Sequence, residues 1–465
     1  MCGNPIHLLG IAVTKALSGT FAVLPHDYPL MQGQLSTCPA VPVATGLGDS
    51  TVSTERPDAH FDYTLEALRG LAALMVVFTH ALSDGPTVEQ QGTISGIWQY
   101  GPPGHLAVLV FFMLSGYVIG LTNPRPIATG QGRKLYTKKR LVRLYPLYLI
   151  SLAVTLAVGV LLKVPYTLGT VTGWLLFLQG AAVPVPGHNT PIWSLGYEVL
   201  YYGLFLVVSA YQWRPERVAL AFLLLGFAIT KLPGVPLILT TYSYGGVFWF
   251  LGMYLAKAPR SNQPPQYGTM LAFLLLMFSF SRLNLGGSVI EALHLNVTPA
   301  QAPILFDRII LFSDFSCLLL CVPLLLCFTN RTLPGQHWAE RAAFVTPAFY
   351  VLAYAYSGKI TQPALFNTSI LAMTFYAVAL GAYFGRYRLG TWGVKVLRAL
   401  TPLGPVSYGL YIIHYPLLFL FREFTFFSGT TTTFIVRLAL YLALSLSLAW
   451  LLELKLQPWI KRQVL

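Results

Sequence analysis

From about residue 60 onward the chain is a succession of apolar runs, each near the width of a bilayer's hydrocarbon core and joined to the next by a short loop. A helix needs about 20 mainly apolar residues to cross that core, and its backbone groups must bond one another because no water is available there. This restricts the fold to an all-α polytopic membrane bundle. The chain is 55% hydrophobic and 10% charged, with a mean hydropathy of +0.62. No stretch of soluble-domain composition interrupts the series, so any chemistry takes place in or at the bilayer.

Residues 1–58 differ, mixing Gly, Pro, Ser and Thr with one modest apolar run, Leu8 to Leu24. That run lacks the basic flank and small-residue cleavage site of a signal peptide. The expected organisation is a poorly ordered extension over 1–58 and one membrane-embedded unit over 59–465.

Spans are expected near 63–83, 105–122, 142–162, 193–212, 218–231, 236–256, 268–283, 304–328, 342–357, 363–384, 403–421 and 433–453. Some are short, so the count is about 10–12. The loop from 123 to 143 carries Arg125, Arg133, Lys134, Lys138, Lys139, Arg140 and Arg143 with no acidic residue, which marks it as cytoplasmic. The piece from Val171 to Val183 is short. Read as re-entrant, it keeps the basic loops around Lys257, Arg331 and Arg386 on that same side and puts both termini in the cytoplasm. The net charge of +14 is thereby absorbed by topology, and nucleic-acid binding is not expected. Of the cysteines, Cys2 and Cys38 lie in the extension, while Cys317, Cys321 and Cys327 share one apolar span without metal-site spacing. No metal site is expected.

Ionisable groups inside spans are costly and mark functional candidates. The first expected helix has Glu66 and Arg69 near one end and His80 near the other. Arg69 and His80 are eleven residues apart, about 16 Å along a helix axis, so they suit opposite ends of one long substrate. Arg140 and Arg143, three apart, share a helix face suited to phosphate, with Lys139 beside them. Topology signalling is the plainer reading of that run. Glu198 follows Trp193 and Ser194 at a helix start expected in the outer half of the membrane, where it can pair with His80 and orient its imidazole. Tyr411 and His414, also three apart, add a second intramembrane histidine.

Five stretches together resemble the acyltransferase-3 family of integral membrane proteins. They are Leu68-Arg69-Gly70-Leu71-Ala72-Ala73 with His80; Phe111-Phe112-Met113-Leu114-Ser115-Gly116-Tyr117; Arg140 and Arg143 with Pro146; Trp193-Ser194-Leu195 with Glu198; and Ser407-Tyr408 with Leu410, Tyr411, His414 and Pro416. The resemblance covers about residues 62–455. It departs at Val199, where relatives often carry a second glutamate, and at Ala107 to Val110, where many carry a glycine.

The resemblance implies transfer of an acyl group, most often acetyl, from acyl-coenzyme A to a hydroxyl of a carbohydrate or glycan, in a cell membrane, with no permanently bound cofactor. It also implies essential roles for His80, Arg140 and Arg143. Combined with the charge reading, His80 becomes the general base and Glu198 its helper. Arg69, Lys139, Arg140 and Arg143 hold the acyl-coenzyme A. Trp193, Ser194, Tyr411 and His414 are candidates for contacts to the acceptor or the oxyanion. Direct attack and an acetyl-histidine relay both remain open. A secondary transporter of a small polar or anionic solute is the alternative class, since intramembrane ionisable groups also serve transport; no internal repeat favours it.

Overall fold

The computed structural model describes residues 63–82, 88, 98, 100–230, 232–280, 282, 286–287, 290, 310–356, 358 and 363–464, with backbone only at 353–354 and 363–369. The N-terminal extension and the loop carrying Glu291, His294 and Asn296 lie outside these residues. The described residues form helices α1 (Tyr63–Leu82), α2 (Gly104–Thr122), α3 (Gly130–Leu161), α4 (Leu168–Leu175), α5 (Trp193–Ala210), α6 (Pro215–Thr230), α7 (Leu237–Leu255), α8 (Tyr267–Phe280), α9 (Leu318–Phe328), α10 (Gln336–Tyr356), α11 (Pro363–Phe384), α12 (Gly390–Leu400), α13 (Ser407–Glu423), α14 (Thr431–Trp450) and α15 (Gln457–Val464). Among the described residues there is no β-strand. The protein is an all-α polytopic membrane protein.

Among the described residues, five helical stretches are long and apolar enough to cross a bilayer: Tyr63–Leu82, Gly104–Thr122, Gly130–Leu161, Gly187–Ala210 and Thr431–Val464. A sixth is the pair Gly390–Leu403 and Ser407–Glu423, bent by 66°. Pro402 and Pro405 interrupt the backbone bonding at that bend. Other expected spans are shorter apolar helices, such as Tyr267–Phe280 and Ile370–Phe384.

Two local features shape the site, and only the first differs from the reading of the sequence. The basic run expected as a loop up to residue 143 is helical from Gly130, because the Thr129 side chain accepts from the Gly132 amide and caps α3. Arg140 and Arg143 therefore stand on the same rigid helix that crosses the core. The second feature is α4, only eight residues long, or about 12 Å. Tyr148 and Tyr145 on α3 donate to the Trp174 and Leu175 carbonyls at its end. The chain then turns back, with Trp174 Nε1 donating to the Pro184 carbonyl, to put His188 beside Tyr166. The segment runs along α3 and doubles back on itself.

Prolines inside helices expose carbonyls that other elements use. Pro146 cannot donate to the Val142 carbonyl, four residues back, which instead accepts from Gln457 Nε2 at 2.7 Å. Pro416 likewise leaves the Ile412 carbonyl to Ser151 Oγ, at 2.5 Å. These bonds tie α3 to α13 and α15 at fixed height. A π-helical turn over Leu451–Leu456 joins α14 to α15 and turns Glu453 inward. Helices α2 and α7 touch backbone to backbone: a Cβ on Gly116 would overlap the Trp249 carbonyl, and one on Gly252 the Met113 carbonyl. That contact brings Ser115 next to Trp249.

Candidate active site

The helices α1, α2, α3, α5 and α13 enclose a cavity of about 240 Å³. Its walls include Arg69, Arg140, Arg143, Ser407 and Tyr408 towards one end and Phe111, Ser194 and Tyr411 towards the other. Tyr411 is one turn further along α13 than Ser407, which sets the direction of depth.

The three arginines are not equivalent. Arg69 forms an ion pair with Glu66 at 2.9 Å and donates to Ser407 Oγ at 3.3 Å. Arg143 is paired with Glu453 at 2.5 Å, and its guanidinium lies 5.3 Å from the centre of the Tyr408 ring. Glu453 is itself nearly sealed, with 3% of its side chain exposed, and accepts from the Gly409 amide. Arg140 forms no ion pair with any described Asp or Glu. It lies between the Tyr136 and Tyr202 rings, at 5.4 and 5.7 Å, and its buried Nε has no hydrogen-bond partner among the described residues. A guanidinium shielded by aromatic faces and lacking a carboxylate is poised for an anion from outside the chain. Lys139 is exposed and does not line the cavity. One residue from Arg140 is about 100° around a helix, so the two cannot face the same way.

Glu198 departs from the expected pairing with His80. Its Oε1 accepts from Ser115 Oγ at 2.9 Å and from Tyr202 OH at 2.5 Å, and Trp249 Nε1 donates to the same Ser115 Oγ at 3.2 Å. It lines the cavity beside Arg140 and Arg143, and it does not bond His80. The cause is the re-entrant segment. Asn189, just before α5, bonds Ser151 and Thr155 in the middle of α3. Helix α5 therefore starts at mid-depth, and a residue one turn along it reaches the arginine level.

At the deeper end the Ser194 and Tyr411 hydroxyls lie 2.8 Å apart, and Tyr411 donates to the Pro191 carbonyl at 2.8 Å. Both line the cavity. Trp193 does not; it is buried edge-on against Phe112 and Tyr197. Beyond Tyr411, at a ring separation of 6.2 Å, is His414, fully buried. Its Nε2 is 3.0 Å from His80 Nδ1. The two histidines were brought together from helices 334 positions apart. Neither lines the cavity, which stops one layer short of them.

Ser115, Tyr202, Tyr408 and Glu453 were not assigned roles from the sequence. Ser115 sits inside the Phe111 to Tyr117 stretch, and Tyr202 is one turn from Glu198. An acidic residue closing the last apolar run was the signal for Glu453.

Taken together, these features define a polytopic membrane protein with a cationic cavity at one level and a buried histidine pair behind it. The chain matches the family profile described as "Acyltransferase domain" over residues 62–341 and 338–454. It belongs to the acyltransferase-3 family. It is also similar to acyltransferase MdmB of Streptomyces mycarofaciens, with 28% identity over 192 residues, or 37% of this chain and 47% of that protein. The match thus spans about half the length of that curated relative. No solved structure matches the chain.

Proposed function

We propose that this chain is an O-acyltransferase of the cell membrane that moves an acyl group, acetyl in the simplest case, from acyl-coenzyme A to a hydroxyl of a carbohydrate or glycan. The observation that carries this reading is Arg140, a cavity-lining guanidinium without a carboxylate partner among the described residues, in the same cavity as Arg69 and Arg143. Coenzyme A has phosphates at its nucleotide end and a long uncharged arm ending in the thioester. Arginine suits the first by bidentate contact. The apolar walls at Phe111, Phe112 and Leu195 suit the second.

In this reading the thioester is delivered to the level of Ser194 and Tyr411, and the acceptor hydroxyl approaches from the His80 side. Neutral His80 takes the hydroxyl proton as that oxygen attacks the thioester carbonyl. The Ser194 hydroxyl donates to the oxyanion that forms, while Tyr411, its hydrogen held by the Pro191 carbonyl, positions Ser194. The intermediate then collapses, the carbon–sulfur bond breaks, and the proton passes from His80 to the departing thiolate. Glu198 and its Ser115 and Tyr202 partners shape the donor side of the cavity.

The test is label transfer. Purified protein in nanodiscs, given [14C]acetyl-coenzyme A and the glycan fraction of its host membranes, should release free thiol and move the label to glycan. A thioester that stays intact while label crosses the membrane in proteoliposomes would overturn the reading in favour of transport.

A further inference from the structure

His414 is buried on α13, does not line the cavity, and contacts His80 through a ring nitrogen on each side. The ring centres are 5.3 Å apart and the planes 19° from parallel. That separation is the 3.0 Å N···N distance plus one ring half-width at each end, so the imidazoles meet edge to edge, nearly in one plane. This is the geometry of an in-line hydrogen bond.

The far nitrogen of His414 decides the direction of that bond. His414 Nδ1 is 3.1 Å from the Leu410 carbonyl oxygen. A carbonyl only accepts, so Nδ1 carries the hydrogen. In a neutral ring Nε2 then has the lone pair, and it can only accept from His80. His80 Nδ1 must therefore be the donor. With both rings neutral, the lone pair of His80 is left on Nε2.

We infer that His414 is a positioning residue that locks His80 in the Nδ1–H tautomer, making Nε2 the basic atom that takes the acceptor's proton; this rests on His80 being the base proposed above. An unrestrained neutral histidine side chain favours the opposite, Nε2–H form. The backbone carbonyl of Leu410 plays the part that an orienting acid plays in other base pairs. When His80 becomes imidazolium, Nδ1–H continues to donate to His414, so no proton has to move within the pair. The ring is held on its other side by Tyr415, edge-on at 4.9 Å.

Two substitutions separate acceptance from bulk. His414→Met fills the space and offers His80 no good acceptor, whereas His414→Gln offers an amide oxygen near the position of Nε2 and cannot titrate. In protein with 15N-labelled histidine, the His80 ring signals, assigned by their loss in His80→Ala, should show Nδ1–H in the wild type and in His414→Gln, and Nε2–H in His414→Met. Transfer assays should give His414→Met a kcat at least about 10²-fold lower with the KM for acyl-coenzyme A within about twofold, as for loss of an orienting partner. His414→Gln should recover most of the rate. Three outcomes overturn the inference: an Nε2–H signal at His80 in the wild type, full kcat in His414→Met, or a dead His414→Gln that still shows Nδ1–H. If His414→Met does not fold, the wild-type spectrum and the Gln variant still decide. The NMR result is independent of turnover, so an active His80→Ala would remove the proposed base without touching the tautomer measurement.

Discussion

The contrast between Arg140 and Arg143 gives a prediction with two separate magnitudes. Arg140→Ala removes a guanidinium that has no carboxylate partner among the described residues, so no ion pair is broken. A charge-assisted contact to phosphate contributes about 1.5–3 kcal/mol, so acyl-coenzyme A binding should weaken roughly 10- to 150-fold with little change in Tm. Arg143→Ala strips Glu453 of its partner while 3% of that side chain is exposed. Breaking a buried pair from one side costs about 3–5 kcal/mol. Arg143 is 26% exposed, which places the loss near the lower end. Arg143→Ala should therefore lower Tm clearly and also weaken binding, and adding Glu453→Gln should restore Tm but not affinity. Isothermal titration in nanodiscs gives the affinities, and thermal unfolding in detergent gives the stabilities. Wild-type affinity in Arg140→Ala would refute the assignment of this face to the donor's phosphates, and unchanged Tm in Arg143→Ala would refute the account of Glu453.

Three further outcomes are expected. Gly116→Val should prevent assembly of α2 on α7, because the side chain would enter the Trp249 backbone; overpacking of this kind costs about 1–3 kcal/mol or more, and the yield of folded protein by size-exclusion chromatography reads it. Glu198→Gln should alter donor affinity modestly while His80→Ala leaves it unchanged, and their effects on Kd and rate should add, since the two residues are not in contact; strong coupling in the double mutant would contradict the separation of the two levels. A thiol engineered at position 262 should react with an impermeant reagent only from the cytoplasmic side, and labelling from outside would reverse the orientation given by the basic loops.

The membrane class was legible from run length alone, since bilayer thickness imposes span length directly. The pairing of Arg140 with Arg143 was legible too, because spacing of three within one helix is local geometry. What escaped was set by contacts between distant segments. Hydropathy counts from a surface and so misplaces Glu198, whereas α5 starts beside Ser151 and Thr155, partway along α3. The helical character of residues 130–143 was masked by their charge, which reads as loop unless the Thr129 cap is weighed. Glu453 and Arg143 are 310 positions apart, and His80 and His414 lie on helices whose pairing no single-chain periodicity encodes. Both histidines were singled out, but as separate candidates. Their partnership required the fold.

Acyl transfer with His80 as the base stands or falls on one comparison: transfer of label from [14C]acetyl-coenzyme A to membrane glycans by wild-type and His80→Ala protein at matched levels. His80→Ala should bind acetyl-coenzyme A with wild-type Kd and transfer label about 10²- to 10⁴-fold more slowly, the usual contribution of a general base. Wild-type transfer by His80→Ala would contradict it.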